Sequence, residues 1–132
     1  MSEVSVGLPN HAAPAGNAVL VVDDDPLLRQ SVQWTLEDEG LTVQVAGDGR
    51  EALDRAAAAA PALVVLDHGL PDRPGHEVAA ALRQQCGTHL PILLVTGDGR
   101  AQQKAVQVGA FAYLHKPFDL DRLVELVRGR LG

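Results

Sequence analysis

Leu63-Val64-Val65-Leu66-Asp67-His68-Gly69-Leu70-Pro71 is the stretch whose reading decides the fold. Four consecutive apolar residues form a strand covered on both faces, because a strand with one wet face would alternate apolar and polar. Asp67 ends the run and so sets a carboxylate at the strand's carboxyl end. Pro71 and Gly75 break the chain before the next helical pattern, which places Asp67 at the mouth of a loop and within reach of solvent. On its own, an Asp after an apolar run is an ordinary turn former or helix cap. What the other strands bring beside it decides whether it is more.

Working outward, the same punctuation recurs. Ala18-Val19-Leu20-Val21-Val22 is a second buried-strand run that stops at Asp23-Asp24-Asp25. Pro26 suits a first helical turn, and Leu28, Val32 and Leu36 then recur at helical spacing until Gly40. Thr42 to Ala46 alternates as a half-buried edge strand, and Asp48 caps a helix from Gly49 to Ala60 that Pro61 ends. Beyond Asp67, Gly75 to Cys86 carries Val78, Ala81 and Leu82 on one stripe. Leu90 to Val95 is a fourth strand, stopping at Thr96-Gly97, and a weaker helix from about Gly99 to Val108 has Val106 and little else of size to bury. Phe111 to Leu114 is a fifth strand, ending in His115-Lys116-Pro117, and Asp119 caps a last helix with Leu120, Leu123, Val124, Val127 and Leu131 in one stripe. Residues 1–17, mixing Gly and Pro with small and polar residues, are expected to form a flexible tail ahead of a domain over 18–132.

Five strands alternating with five helices predict a doubly wound α/β fold, a parallel sheet covered on both faces through right-handed crossovers. Such sheets bind ligands outside the carboxyl ends of their strands. Those ends here carry Asp23 and Asp24, Asp67, Thr96, and Lys116. Carboxylates crowded into one crevice repel each other unless a cation joins them. Mg²⁺ suits oxygen ligands of this kind, and no set of His and Cys offers the ligands zinc prefers. With a hydroxyl at Thr96 and an ammonium at Lys116, the set could neutralise a phosphoryl group while an Asp attacks it.

The totals narrow the function further. With 132 residues and one cysteine, the chain reads as one domain with a real core and no disulfide framework. A net charge of −6 with two Phe, one Trp and one Tyr argues against direct nucleic-acid binding. No apolar stretch approaches the roughly 20 residues of a membrane helix, and the first residues lack a secretory pattern, so a cytoplasmic location is expected.

The segments Val21-Val22-Asp23-Asp24-Asp25-Pro26, Leu66-Asp67 with Pro71 and Gly75, Val95-Thr96-Gly97 and Lys116-Pro117-Phe118 closely resemble, in order and spacing, the receiver domain of bacterial two-component response regulators, chemotaxis receivers among them. The resemblance implies a flavodoxin-like fold with strand order 2-1-3-4-5. It implies that Asp67 is the phosphoacceptor, taking a phosphoryl group from a histidine kinase, a phosphotransfer protein or a small donor. Asp23, Asp24, Asp67 and the carbonyl of Gly69 would hold Mg²⁺, while Thr96 and Lys116 would sense the phosphoryl oxygens. Thr96 and Tyr113 would form the switch, acting on the face of the fourth helix, fifth strand and last helix, where a downstream protein or a second copy docks. Lys116-Pro117 matches the family's cis peptide. Such a domain is a signalling module that assists its own phosphorylation, not an enzyme.

The resemblance also implies that Gly69 and Asp98, two residues past Asp67 and Thr96, occupy positions that tune hydrolysis of the acyl phosphate, where Gly69 brings no shielding side chain. His68 reads as a loop residue, facing solvent or covering the site; His115, Trp34 and Cys86 read as packing residues; and His11, His76 and His89 share no metal-ligand spacing. From its length a stand-alone receiver is expected, with a receiver cut from a longer regulator with a DNA-binding or enzymatic output as the alternative. An aspartyl-phosphate hydrolase would need an acid where Gly69 stands, and a flavodoxin would need a phosphate loop where Asp23-Asp24-Asp25 stands.

Overall fold

In residues 18–132, the part of the chain that a computed structural model describes, strand and helix alternate throughout. The order is β1 (Ala18–Val22), α1 (Pro26–Asp38), β2 (Thr42–Ala46), α2 (Gly49–Ala58), β3 (Leu63–Asp67), α3 (Gly75–Cys86), β4 (Ile92–Thr96), α4 (Ala101–Val108), β5 (Ala112–His115) and α5 (Leu120–Leu131). The tail expected over 1–17, with His11, lies outside the described residues. All strand pairs are parallel, in the order β2-β1-β3-β4-β5, so the β3 strand stands at the centre. In-register pairs such as Val22 with Leu66 and Asp67 with Val95 bring the carboxyl ends of β1, β3 and β4 to one edge.

The continuous apolar runs divide by parity. Leu20, Val22, Val64, Leu66, Ile92 and Leu94 pack against α2, α3 and α4, whereas Val19, Val21, Leu63, Val65, Leu93 and Val95 pack against α1 and α5. Each buried Val or Leu contributes about 1.5–3 kcal/mol relative to an exposed one. A one-residue slip of any central strand would exchange the two sets.

Several expected boundaries move. The first helix ends at Asp38, short of Gly40, which has φ +86°. The second ends at Ala58 rather than Ala60, and the fourth begins at Ala101, past Gly99. β4 starts at Ile92, after the proline that lacks an N–H for the ladder, and β5 is shifted one residue to include His115. Four side chains also sit otherwise than expected. Trp34 is 59% exposed, because the buried stripe of α1 is Val32 and Leu36 and Trp34 lies off it. His115 is exposed rather than packed, facing outward from the edge strand as Tyr113 does. On α4 the buried valine is Val108, whereas Val106 is 77% exposed. Asp67 stands at the loop mouth but is 5% exposed. Cys86 is half-buried against the core, as expected.

Candidate functional site

The carboxyl edge of the sheet gathers the polar strand ends, and local hydrogen bonds decide which acids remain available. Of Asp23-Asp24-Asp25, the last is used up structurally: its side chain accepts the N–H groups of Leu27 and Leu28 and caps α1, with Pro26 in the first turn. Asp23 is buried, its Oδ1 accepting the Asp25 N–H at 2.9 Å, and Arg29 donates to its carbonyl at 2.8 Å. Asp24 is exposed. One carboxylate oxygen from each of Asp23, Asp24 and Asp67 lies within 4.8 Å of the others.

Lys116 reaches into this cluster from the end of β5. Its Nζ lies 2.9 Å from Asp23 Oδ2 and 3.2 Å from Asp67 Oδ2. Its backbone N–H donates to the Thr96 carbonyl, and the Lys116-Pro117 peptide is cis, as expected. Asp67 Oδ1 accepts the Gly69 N–H at 3.1 Å, which fixes the carboxylate plane. Burial pushes the Asp67 carboxyl above its ordinary value, and the charge of Asp23 adds to this; the Gly69 N–H and Lys116 only partly offset them. Burial works against the Lys116 ammonium, but Asp23 and Asp67 outweigh it and its pKa is raised. Thr96 is 2% exposed, with Oγ1 accepting the Asp98 N–H at 3.1 Å.

The sheet thus brings Asp23, Asp24, Asp67, Gly69, Thr96 and Lys116 together, and Tyr113 stands apart, 42% exposed on the outer face of β5. The clustered donors are three carboxylates, hard oxygen ligands with no thiolate or imidazole among them, which fits Mg²⁺. His68 is half-buried, its ring 6.3 Å from that of His76, and burial lowers its pKa.

Three supporting contacts escape a reading of the sequence. Asp72, in the loop after β3, accepts the N–H groups of Gly49 and Arg50 and so ties that loop to the start of α2, which keeps its carboxyl below the usual range. Arg29 braces the Asp23 backbone. Arg83 donates to the carbonyls of Leu90, Val108 and Gly109. All three join residues from different elements, and no periodicity or local motif announces them. Only the Arg in the helical pattern and the Asp-Arg-Pro turn could have drawn notice.

The sequence pattern described as the response regulator receiver domain matches residues 19–128. The response regulator MprA of Mycolicibacterium vanbaalenii is 42% identical over 115 residues, 86% of this chain and 49% of that protein. The chain therefore spans about half the length of the curated relatives it matches. Among solved structures, a CheY-like response regulator receiver domain protein from Methanospirillum hungatei superposes with a TM-score of 0.80 at 28% identity, covering 87% of this chain and 93% of that one. Chemotaxis protein CheY4 of Vibrio cholerae gives 0.78 at 37% identity, covering 89% and 98%.

Proposed function

The chain belongs to the response regulator receiver family, and from that premise we propose that Asp67 is its phosphoacceptor, with Asp23, Asp24, Asp67 and the Gly69 carbonyl holding Mg²⁺. The observation that carries the reading is the buried Asp67 carboxylate, raised in pKa by burial and by Asp23, with an ammonium already bridging it to Asp23. A site paying for three adjacent acids in this way is arranged for added cationic charge and a transferred anion. Mg²⁺, when bound, supplies the positive charge that lets an anionic carboxylate approach an anionic phosphoryl group.

The chain's own groups do the rest. An Asp67 oxygen attacks phosphorus, forming the O–P bond as the P–N bond of a donor phosphohistidine, or the P–O bond of an acyl phosphate, breaks with its electron pair leaving on the donor. Lys116 is placed to donate to a phosphoryl oxygen. The Thr96 hydroxyl accepts from Asp98, so its own proton is the one to be donated. Movement of Thr96 toward the phosphoryl group would open room for Tyr113 to turn inward.

Incubation with Mg²⁺ and acetyl phosphate, followed by intact mass, tests the assignment. One added phosphoryl group in the native chain and none in Asp67→Asn is expected; an adduct that persists in Asp67→Asn overturns it. A Cβ at Gly69 would lie 3.9 Å from Asp67 Oδ1, so glycine leaves the acceptor uncovered, and the Asp98 carboxylate is turned toward Arg100 and Lys104. The aspartyl phosphate is therefore not long-lived, and a half-life of many hours in Mg²⁺ would contradict this.

Receiver domains are signalling domains that take their input from histidine kinases. For the output we assign the α4–β5–α5 face, where a groove of about 430 Å³ is lined by Val106, Phe111, Tyr113 and Leu126. A downstream protein or a second copy would bind there. Beryllofluoride-dependent dimerisation, lost in Val106→Glu, is the expected sign of the second copy; a monomer in both states removes it.

A further inference from the structure

The two ends of α4 are held by different devices, and the difference assigns a mechanism to the helix. At its start, Arg100 in the cap position offers no side-chain hydrogen bond, and no acidic residue stands in the first turn. The work falls to Asp98. Its Oδ1 accepts the Arg100 N–H at 2.8 Å, and its Oδ2 lies 2.9 Å from Lys104 Nζ, one turn into the helix. The Asp98 N–H in turn donates to Thr96 Oγ1 at 3.1 Å. A continuous chain therefore runs from the Thr96 hydroxyl through Asp98 to the first turn of α4. Beneath that turn only Ala101 and Ala105 are buried, at 7% and 6% exposure.

At its other end α4 closes on Gly109 in the left-handed region, φ +70°, where Val108 is buried to 3% exposure. Arg83 of α3 donates Nη1 to the Val108 carbonyl, Nη2 to the Gly109 carbonyl at 2.8 Å and Nε to the Leu90 carbonyl at 3.3 Å. A planar guanidinium spanning three carbonyls, two at the end of α4 and one in the loop before β4, fixes position and orientation together. Nothing in this clamp touches Thr96.

We propose that the Lys104–Asp98 ion pair is a latch on the amino-terminal turn of α4, released when Thr96 turns to a phosphoryl group on Asp67, and that α4 then pivots about the end clamped by Arg83. The proposal rests on the phosphoacceptor reading above. When the Thr96 hydroxyl moves, the Asp98 N–H loses its acceptor and the 96–100 turn must re-form. The carboxylate holding Arg100 and Lys104 moves with that turn. Lys104 is thereby a positioning residue: it sets how readily the switch helix lets go without contacting the reacting atoms.

Amide hydrogen exchange on the native chain, with and without Mg²⁺ and beryllofluoride, separates the two ends. Beryllofluoride is expected to raise exchange over 98–104 and leave 106–110 unchanged. Lys104→Gln should raise exchange over 98–104 in the unmodified protein by roughly two- to five-fold, the range open to an ion pair with one half-exposed partner, and shrink the beryllofluoride response to match. Lys104→Arg should restore the native pattern. Arg83→Gln should raise exchange over 106–110 in both states while sparing the response of 98–104. Acetyl phosphate and intact mass are run on the same samples. If the native chain takes the phosphoryl group but Lys104→Gln exchanges like the native chain, or both ends of α4 respond alike, the latch is overturned and the phosphoacceptor stands. If no phosphoryl group is taken, the phosphoacceptor reading fails and the latch loses its trigger with it.

Discussion

The helices α4 and α5 flank the same edge strand, β5, yet they are built to opposite ends. α5 has an Asp119 cap donating order to its first turn, Asp121 near its amino end and Arg128 and Arg130 near its carboxyl end, and Leu123 and Val127 buried to 0% exposure. α4 is eight residues long, has no capping side chain at Arg100, buries two alanines and Val108, and exposes Val106. One wall of the α4–β5–α5 face is therefore anchored in the core and the other rests on it lightly. On the proposed reading, in which this face responds to the state of Asp67, both are needed, a fixed reference and a part whose local stability is low enough to shift.

The largest test of that contrast is Leu123→Ala. Deleting a fully buried leucine should cost about 2–5 kcal/mol and lower the melting temperature of the whole domain. Val106→Ala, on the lightly held wall, should change stability by no more than about 0.5 kcal/mol. Comparable losses in thermal denaturation would break the comparison.

Next in size is Asp67→Asn, which asks whether the poised region is also held under electrostatic tension at its site end. The Asp67 carboxyl is raised by burial and by Asp23, so the folded state binds its proton more tightly than the unfolded state does, and stability falls as pH rises through that window. The charge costs most above the raised value and nothing below the ordinary carboxyl value of 3.8. Asp67→Asn should thus stabilise the metal-free domain at neutral pH and raise its melting temperature, and the gain should fade toward pH 4. Equal gains at pH 4 and pH 7 would show that charge is not the cause. Mg²⁺ should stabilise the native chain more than the variant.

The contrast was only half legible in the sequence. Apolar runs ending in Asp23, Asp67 and Thr96 were enough to order the strands and to collect the acids, because burial on both faces leaves no alternation to misread. The Leu120, Leu123, Val124, Val127, Leu131 stripe announced α5 equally well. For α4 the weakness is visible, but the pattern points to the wrong valine: Val106 and Val108 both lie in a short stretch dominated by alanine and glutamine, and only the sheet beneath decides which one is buried. Trp34 reads as packing from its place in a helix and His115 from pointing opposite to Lys116 along a strand, whereas the stripe of α1 and the outward alternation of β5 leave both on the surface. The contacts of Asp72 with Gly49 and Arg50, and of Arg83 with Val108 and Gly109, span 22 to 26 residues and join polar side chains to backbone, so no local pattern carries them.

The smallest effects address the caps themselves. Asp119 accepts the Asp121 N–H at 2.8 Å, and Asp119→Ala should cost about 1 kcal/mol. The converse change is Arg100→Ser, which removes a cation from the positive end of α4 and supplies a hydroxyl where none caps the helix. Its benefit is limited by geometry: Arg100 has φ −104° and ψ 34°, away from the extended backbone that caps prefer, and Asp98 Oδ1 holds its N–H in place. A gain of roughly 0.5 kcal/mol or less is expected, too small for thermal denaturation but visible as slower exchange in the first turn of α4. If that slowing also reduces the beryllofluoride response, the missing cap is part of what leaves α4 free to move. If exchange slows and the response is unchanged, the mobility of α4 comes from its alanine contacts with the sheet, and the difference from α5 is one of packing alone.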